Sequence, residues 1–148
     1  MALVKTIKDR NTHDTIYPIT KADAVYLSDN ETTVEGALGD LTPTEITFTP
    51  GSSFTLGTGS SFIKIGNICI FTISGTFNTS PLNVWTNYLV GTFPGYVAKY
   101  RALSTGSDNN MNSVLLQLDA DSNAIYARPL ANAAHEDLIR GQIVFIIK

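Results

Sequence analysis

Apolar and polar positions alternate with a period of two along most of the chain after residue 43, and the densest run lies at residues 62–77 (FIKIGNICIFTISGTF). A period of two predicts strands, and Gly66-Asn67 between two β-branched runs predicts a two-residue hairpin turn, because these residues accept the positive φ such turns need. With Ile65 facing Ile68, one side of the ribbon carries Ile63, Ile65, Ile68 and Ile70, and the other Phe62, Lys64, Cys69, Phe71 and Ile73. Both sides are apolar. At roughly 1.5–3 kcal/mol per large side chain, leaving either side in water forfeits about 6–12 kcal/mol, comparable to the roughly 5–15 kcal/mol net stability of a domain. The hairpin therefore needs two covers: an opposing sheet on one side, and another layer or another copy of the chain on the other.

The same periodicity predicts strands at 45–49, 53–56, 61–65, 68–77, 84–93, 101–104, 114–118, 124–128 and 142–147, with turns at 57–59, 78–81 and 119–123. Residues 143–147 (IVFII) repeat the two-sided apolar character of the hairpin, so this strand is expected to be central. The segment 131–137 reads as a loop or a single helical turn. The fold class expected is mainly β, an antiparallel β-sandwich or jelly-roll-like head.

Before residue 44 the pattern changes. Residues 15–20 (TIYPIT) and 24–27 (AVYL) are short extended pieces, the first held to an edge or connector by Pro18. Thr32 followed by Glu35 matches a capping box and opens a short helix over 33–41, with Val34, Ala37, Leu38 and Leu41 on one stripe. A helix this short is marginal alone, so its stripe needs either its own domain or a parallel bundle of identical chains. Charge marks the same boundary, because acidic and basic residues crowd into 1–45 while the remainder is rich in Ser, Thr, Asn and Gly. Two domains are expected: 1–43, an attachment or trimerisation segment, and 44–148, the β head.

A net charge of -3 and the lack of a basic, aromatic-interleaved patch exclude nucleic acid as the expected partner. The first ten residues show no signal-peptide core and no apolar run reaches the ~20 residues of a membrane span, so synthesis in the cytoplasm without membrane insertion is expected. Cys69, the single cysteine, excludes an intrachain disulfide and reads as a small buried hydrophobe. His13 and His135 lie in no nucleophile context. Residues 119–123 (DADSN) begin like a calcium loop but lack its glycine and closing glutamate, and 57–62 lacks the third glycine of a dinucleotide fingerprint. Neither catalysis nor a cofactor or metal is expected. What remains is recognition. Trp85, Tyr96, Tyr100 and Tyr126 are amphipathic rings, and Arg101, Asp108, Asn109 and Asn110 are hydrogen-bonding groups of the kind that satisfies sugar hydroxyls. Trp85, Tyr88 and Tyr126 lie within expected strands, where such rings more often serve a core or interface, and the default reading of 107–112 is a solvated loop tip.

Residues 14–29 (DTIYPITKADAVYLSD) followed by 33–38 (TVEGAL) resemble a recurrent N-terminal segment of bacteriophage and prophage tail proteins, and 91–96 (GTFPGY) is similar to a passage in the β-sandwich heads of phage tail fibres. Phe93 stands where leucine is usual in that passage. The resemblance implies a virion protein at a tail tip or fibre end: a homotrimer, joined through its N-terminal segment to other tail or baseplate proteins, whose head adheres to a bacterial surface glycan. Interface candidates are Val34, Leu38 and Leu41 on the helix stripe and Ile63, Ile65, Ile68 and Ile70 on the ribbon. The alternative is a purely structural virion adaptor or decoration protein without a ligand.

Overall fold

The computed structural model describes residues 7–8, 15–16, 39, 41–130 and 138–148, and the chain divides into two compact units, Met1–Thr42 and Pro43–Lys148. In the first unit, strands β1 (Ile7–Lys8) and β2 (Thr15–Ile16) pair antiparallel with Ile7 opposite Ile16. The short helix expected over 33–41 is not seen. Residues 33–38 and 40, with Val34 and Leu38, lie outside the described residues; Gly39 alone is helical among those described, and Leu41–Thr42 form a turn in which the Thr42 N–H donates to the Gly39 carbonyl at 3.0 Å. Glycine weakens a helix by about 1 kcal/mol relative to alanine, and the chain has left helical geometry by Leu41. His13, His135 and the segment 131–137 also lie outside the described residues.

The second unit is mainly β, an antiparallel sheet of ten strands. These are β3 (Thr44–Glu45), β4 (Thr49–Pro50), β5 (Phe54–Leu56), β6 (Ser61–Ile65), β7 (Ile68–Phe77), β8 (Tyr88–Thr92), β9 (Ala102–Asp108), β10 (Ser113–Leu118), β11 (Ala124–Pro129) and β12 (Leu138–Ile146). The order across the sheet is β3-β6-β7-β12-β9-β10-β11-β8-β4, with β5 joined to the far end of β7. Its two outermost strands, β3 and β4, are separated in sequence only by Ile46, Thr47 and Phe48. Four Cα steps span at most about 14 Å, so a sheet whose opposite edges are tied by so short a tether must curl until those edges nearly meet.

The hairpin adopts the expected register. Ile65 pairs with Ile68, Ile63 with Ile70 and Phe62 with Phe71, and the positive φ of 56° at the turn falls on Gly66. Burial along β7 then alternates strictly from Cys69 to Phe77, odd-numbered positions facing inward. At the centre of the curl lies Phe71, fully buried. Its ring meets Phe48, Phe62, Phe93 and Phe145 edge-on, with centroids 6.0, 5.1, 5.4 and 5.0 Å away. Phe48 in turn stacks flat on Phe62 at 4.2 Å. Cys69, Ile73, Val90, Leu116, Ile125, Ile143 and Ile147 complete the interior.

The curl needs a place where strands can touch. Near its start β12 pairs with β9 at Ile139–Asp108 and Arg140–Ser107, and then Gly141 lies on Gly106. A Cβ on Gly106 would run into the Arg140 carbonyl, and one on Gly141 would sit 2.7 Å from the Leu116 Cδ1 and 3.0 Å from the Gly106 Cα. Only glycine permits this approach. Beyond it β9 and β12 diverge and leave a groove between them.

Several expected strand limits shift. The strand expected over 84–93 begins only at Tyr88, because Trp85 holds φ 61° in a preceding turn, where its N–H donates to the Pro129 carbonyl at 3.0 Å. The strand expected at 45–49 divides into β3 and β4, β9 runs on to Asp108, and β12 starts at Leu138.

Truncating the central ring, Phe71→Ala, is expected to cost about 3–5 kcal/mol in chemical denaturation, whereas Thr72→Ala beside it on the outer face should change stability by less than about 1 kcal/mol. Burial, opposed in part by the Lys64 charge, pushes the Cys69 thiol from 9.0 up to about 11. The folded state thus favours the neutral thiol while the unfolded chain ionises near pH 9, so this contribution to stability is intact below pH 9 and is lost as pH rises towards about 11. Cys69→Ala should flatten the stability–pH curve between pH 9 and 11, and the native thiol should resist alkylation at pH 8 until the chain unfolds.

Candidate recognition surface

The outward positions of β6, β7 and β12 form cross-strand rows. The first two are Ile65–Ile68–Ile146 and Ile63–Ile70–Val144, wholly aliphatic and β-branched; the next are Ser61–Thr72–Gln142 and the Ser74–Arg140 pair, wholly polar. Ile68, Val144 and Ile146 are exposed and Ile63, Ile65 and Ile70 half-buried. The hairpin's inner side is thus covered by its own chain, and the side carrying the interface candidates Ile63, Ile65, Ile68 and Ile70 is left open to solvent in one copy. Val144 and Ile146 extend it, and the alternation in residues 143–147 is the signal that could have added them. The remaining interface candidate, Leu41, is exposed.

The aliphatic rows run into the groove where β9 and β12 part, about 340 Å³ lined by Tyr100, Arg101, Leu103, Val144 and Ile146 among others. On its far side the β9–β10–β11 register places Leu103 opposite Gln117 and Gln117 opposite Tyr126. Three of the predicted recognition residues, Tyr100, Arg101 and Tyr126, therefore belong to one cluster, joined by Leu103, Gln117 and Asp119. Arg101 Nε lies 3.2 Å from Asp119 Oδ1, and Gln117 Nε2 donates to Asp119 Oδ1 and Oδ2 at 3.1 and 3.2 Å. Because both Asp119 oxygens only accept, the Gln117 amide cannot flip without losing these bonds, and its Oε1 is left buried with no donor among the described residues. Such an orphan costs about 1–3 kcal/mol. Gln117 was missed from sequence; its signal is one polar residue amid an otherwise apolar run, VLLQL.

Tyr96 lies in the connection after β8, at the same end of the sheet, where Ala98 bridges Ile147 and Lys99 stands 5.5 Å from the Tyr100 ring centroid. Asp108, Asn109, Asn110 and Trp85 are elsewhere. Asp108 ends β9, seven positions from Arg101 and so roughly 23 Å away along the strand. It is 2% exposed, and its Oδ1 accepts from the Asn110 and Asn112 N–H groups at 2.9 and 2.8 Å while Oδ2 accepts from Asn112 Nδ2 at 2.9 Å. Its carboxylate organises the β9–β10 tip from below, leaving Asn109 and Asn110 exposed at that tip. Trp85, 64% exposed, shares that end through its bond to Pro129, the partner of Val114 on β10. The eight predicted recognition residues thus divide between the two ends of the sheet, with Tyr126 on the outer face between its neighbours.

No group of three or more His, Cys, Asp or Glu side chains that could hold a metal ion occurs among the described residues. Asp119 and Asp121 instead form ion pairs with Arg101 and Lys148.

Asp108→Ala takes the acceptor from two part-buried backbone N–H groups and from Asn112 Nδ2, and urea denaturation should show a loss of about 1–3 kcal/mol.

No protein-family model, curated protein or solved structure matches this chain.

Proposed function

We propose that this chain is a virion tail protein of the fibre or receptor-binding kind, acting by adhesion rather than catalysis. Its residues 44–148 form the head, whose two halves of curled sheet serve as the layers of a sandwich. Copies associate as a homotrimer, and the head holds a saccharide of the host surface by shallow, repeated contacts. The N-terminal segment joins the head to other tail or baseplate proteins.

The observation that carries this reading is one continuous outer surface on which aliphatic rows give way to a cluster of rings, guanidinium, carboxylate and amide. Monomeric proteins seldom expose contiguous apolar rows of this kind, and at roughly 1.5–3 kcal/mol for each Ile or Val side chain fully buried, covering them is a sufficient drive for association. Identical copies are the economical cover, since a closed ring buries the same face on each subunit. Beside these rows, Tyr100 and Tyr126 supply faces for the apolar side of a sugar ring, Arg101 and Asp119 supply donors and acceptors for its hydroxyls, and Gln117 holds Asp119 in place from below. Individually weak sites suffice when several copies engage together. The likeness of residues 14–38 to phage tail proteins supports the biological setting.

Light scattering of the purified chain should give three times the chain mass, and Ile70→Asp or Val144→Asp should reduce it to one. Competition of phage adsorption or glycan binding should weaken at least tenfold with Arg101→Ala or Tyr126→Ala at unchanged mass. A compact monomer at high concentration would overturn the trimer. An oligomer that binds no host cell would instead identify a structural adaptor.

A further inference from the structure

The polar rows on the outer face of β7 and β12 floor a second concavity, separate from the cluster at Tyr100 and Arg101. It measures about 670 Å³ and is lined by Thr58, Gly59, Thr72, Ser74, Arg140 and Gln142, with the backbone of Ile73 and Gly141 between them. From Arg140 to Ile146 is six strand positions, roughly 20 Å, so the two sites are independent.

Its wall is held by hydrogen bonds that would not be needed for a loose loop. The Gly57 N–H donates to the Ser74 carbonyl at 2.7 Å, and the Ser60 hydroxyl donates to the same carbonyl at 2.8 Å while accepting from the Ser74 N–H at 3.1 Å. Ser60 Oγ thereby replaces a strand neighbour and pins the 57–60 turn against β7. On the floor, Gln142 Nε2 donates to Thr72 Oγ1 at 3.3 Å. The concavity is therefore preformed, which spares a ligand the entropic cost of ordering it.

Among the described residues, the charge of this site is unbalanced. Within 41–130 and 138–148 every other cation is engaged: Lys64 with the Gly66 carbonyl, Lys99 near the Tyr100 ring, Arg101 with Asp119, Arg128 with Asn87 Oδ1 and Lys148 with Asp121. Arg140 alone has no acceptor, ion pair or ring among the described residues, and among the described residues no carboxylate lines the concavity around it. A guanidinium beside hydroxyls and an amide, with no counter-charge, matches a ligand that carries one carboxylate and several hydroxyls. The fork of Arg140 takes the carboxylate by two parallel hydrogen bonds, and Ser74, Thr72 and Gln142 take ring hydroxyls.

We propose that this concavity is a binding subsite for an acidic saccharide, a hexuronate or similarly carboxylated sugar. A peptide is disfavoured because Thr72 on β7 is already paired on both sides, to Ser61 and to Gln142, so the floor offers side chains and no free strand edge.

Amide chemical-shift titration of the full chain tests this with glucuronate, glucose, acetate and a glutamate-rich peptide as separate probes. Glucuronate should move the resonances of Thr72, Ser74 and 140–142 and bind at least tenfold more tightly than glucose or acetate. Arg140→Gln, at an exposed position where folding is unaffected, should bring glucuronate down to the glucose level, and Arg140→Lys should recover part of the loss. The proposal is overturned if acetate or the peptide binds as well as glucuronate, if Arg140→Gln leaves glucuronate binding unchanged, or if these resonances do not move. Because Arg101 and Tyr126 report on the other site, failure here leaves the trimeric adhesin reading standing, and failure there leaves this one.

Discussion

The structure depends on the ring of Phe71. Four other phenyl rings meet its edge or face, and they come from parts of the chain that a flat sheet would hold apart: Phe48 on the tether between the outermost strands, Phe62 on β6, Phe93 just beyond β8 and Phe145 on β12. Edge-to-face aromatic contacts add about 0.5–1.5 kcal/mol each beyond the area they bury, and these can form together only if the sheet closes on itself. The short tether through Ile46, Thr47 and Phe48 enforces the same geometry covalently. Gly106 and Gly141 permit it by letting two backbones cross where any side chain would collide.

Closing the sheet around one core has a consequence for the outer surface. Each strand has only two faces, and the inward positions of β6, β7 and β12 use up the interior. The aliphatic residues on their outward positions are then left exposed or half-buried. The same division sorts chemistry along the outer face of β12, where Val144 and Ile146 extend the apolar rows while Arg140 and Gln142 end in a polar concavity. The outer surface therefore has one apolar half and one hydroxylated half.

Asp108 shows how burial reassigns a residue. In sequence it belongs to a polar run, SDNNMN, and shares its residue types with sugar-binding loops. In the fold it points beneath that run and accepts from the backbone it precedes. Arg101 and Tyr126 share no local sequence context, yet the register of β9, β10 and β11 sets them around Gln117 and Asp119.

The amino-acid pattern alone determined the β character, most strand positions, the hairpin at Gly66 and its register, and the two-faced apolar ribbon. All of these follow from the period of two and from turn chemistry, which act between near neighbours. The division of the strand expected at 45–49 between opposite edges, the crossing at Gly106 and Gly141 and the grouping of Tyr100, Arg101 and Tyr126 were decided only in three dimensions. These depend on pairing between strands far apart in sequence, where each partner looks ordinary by itself and only closure of the core selects among possible neighbours.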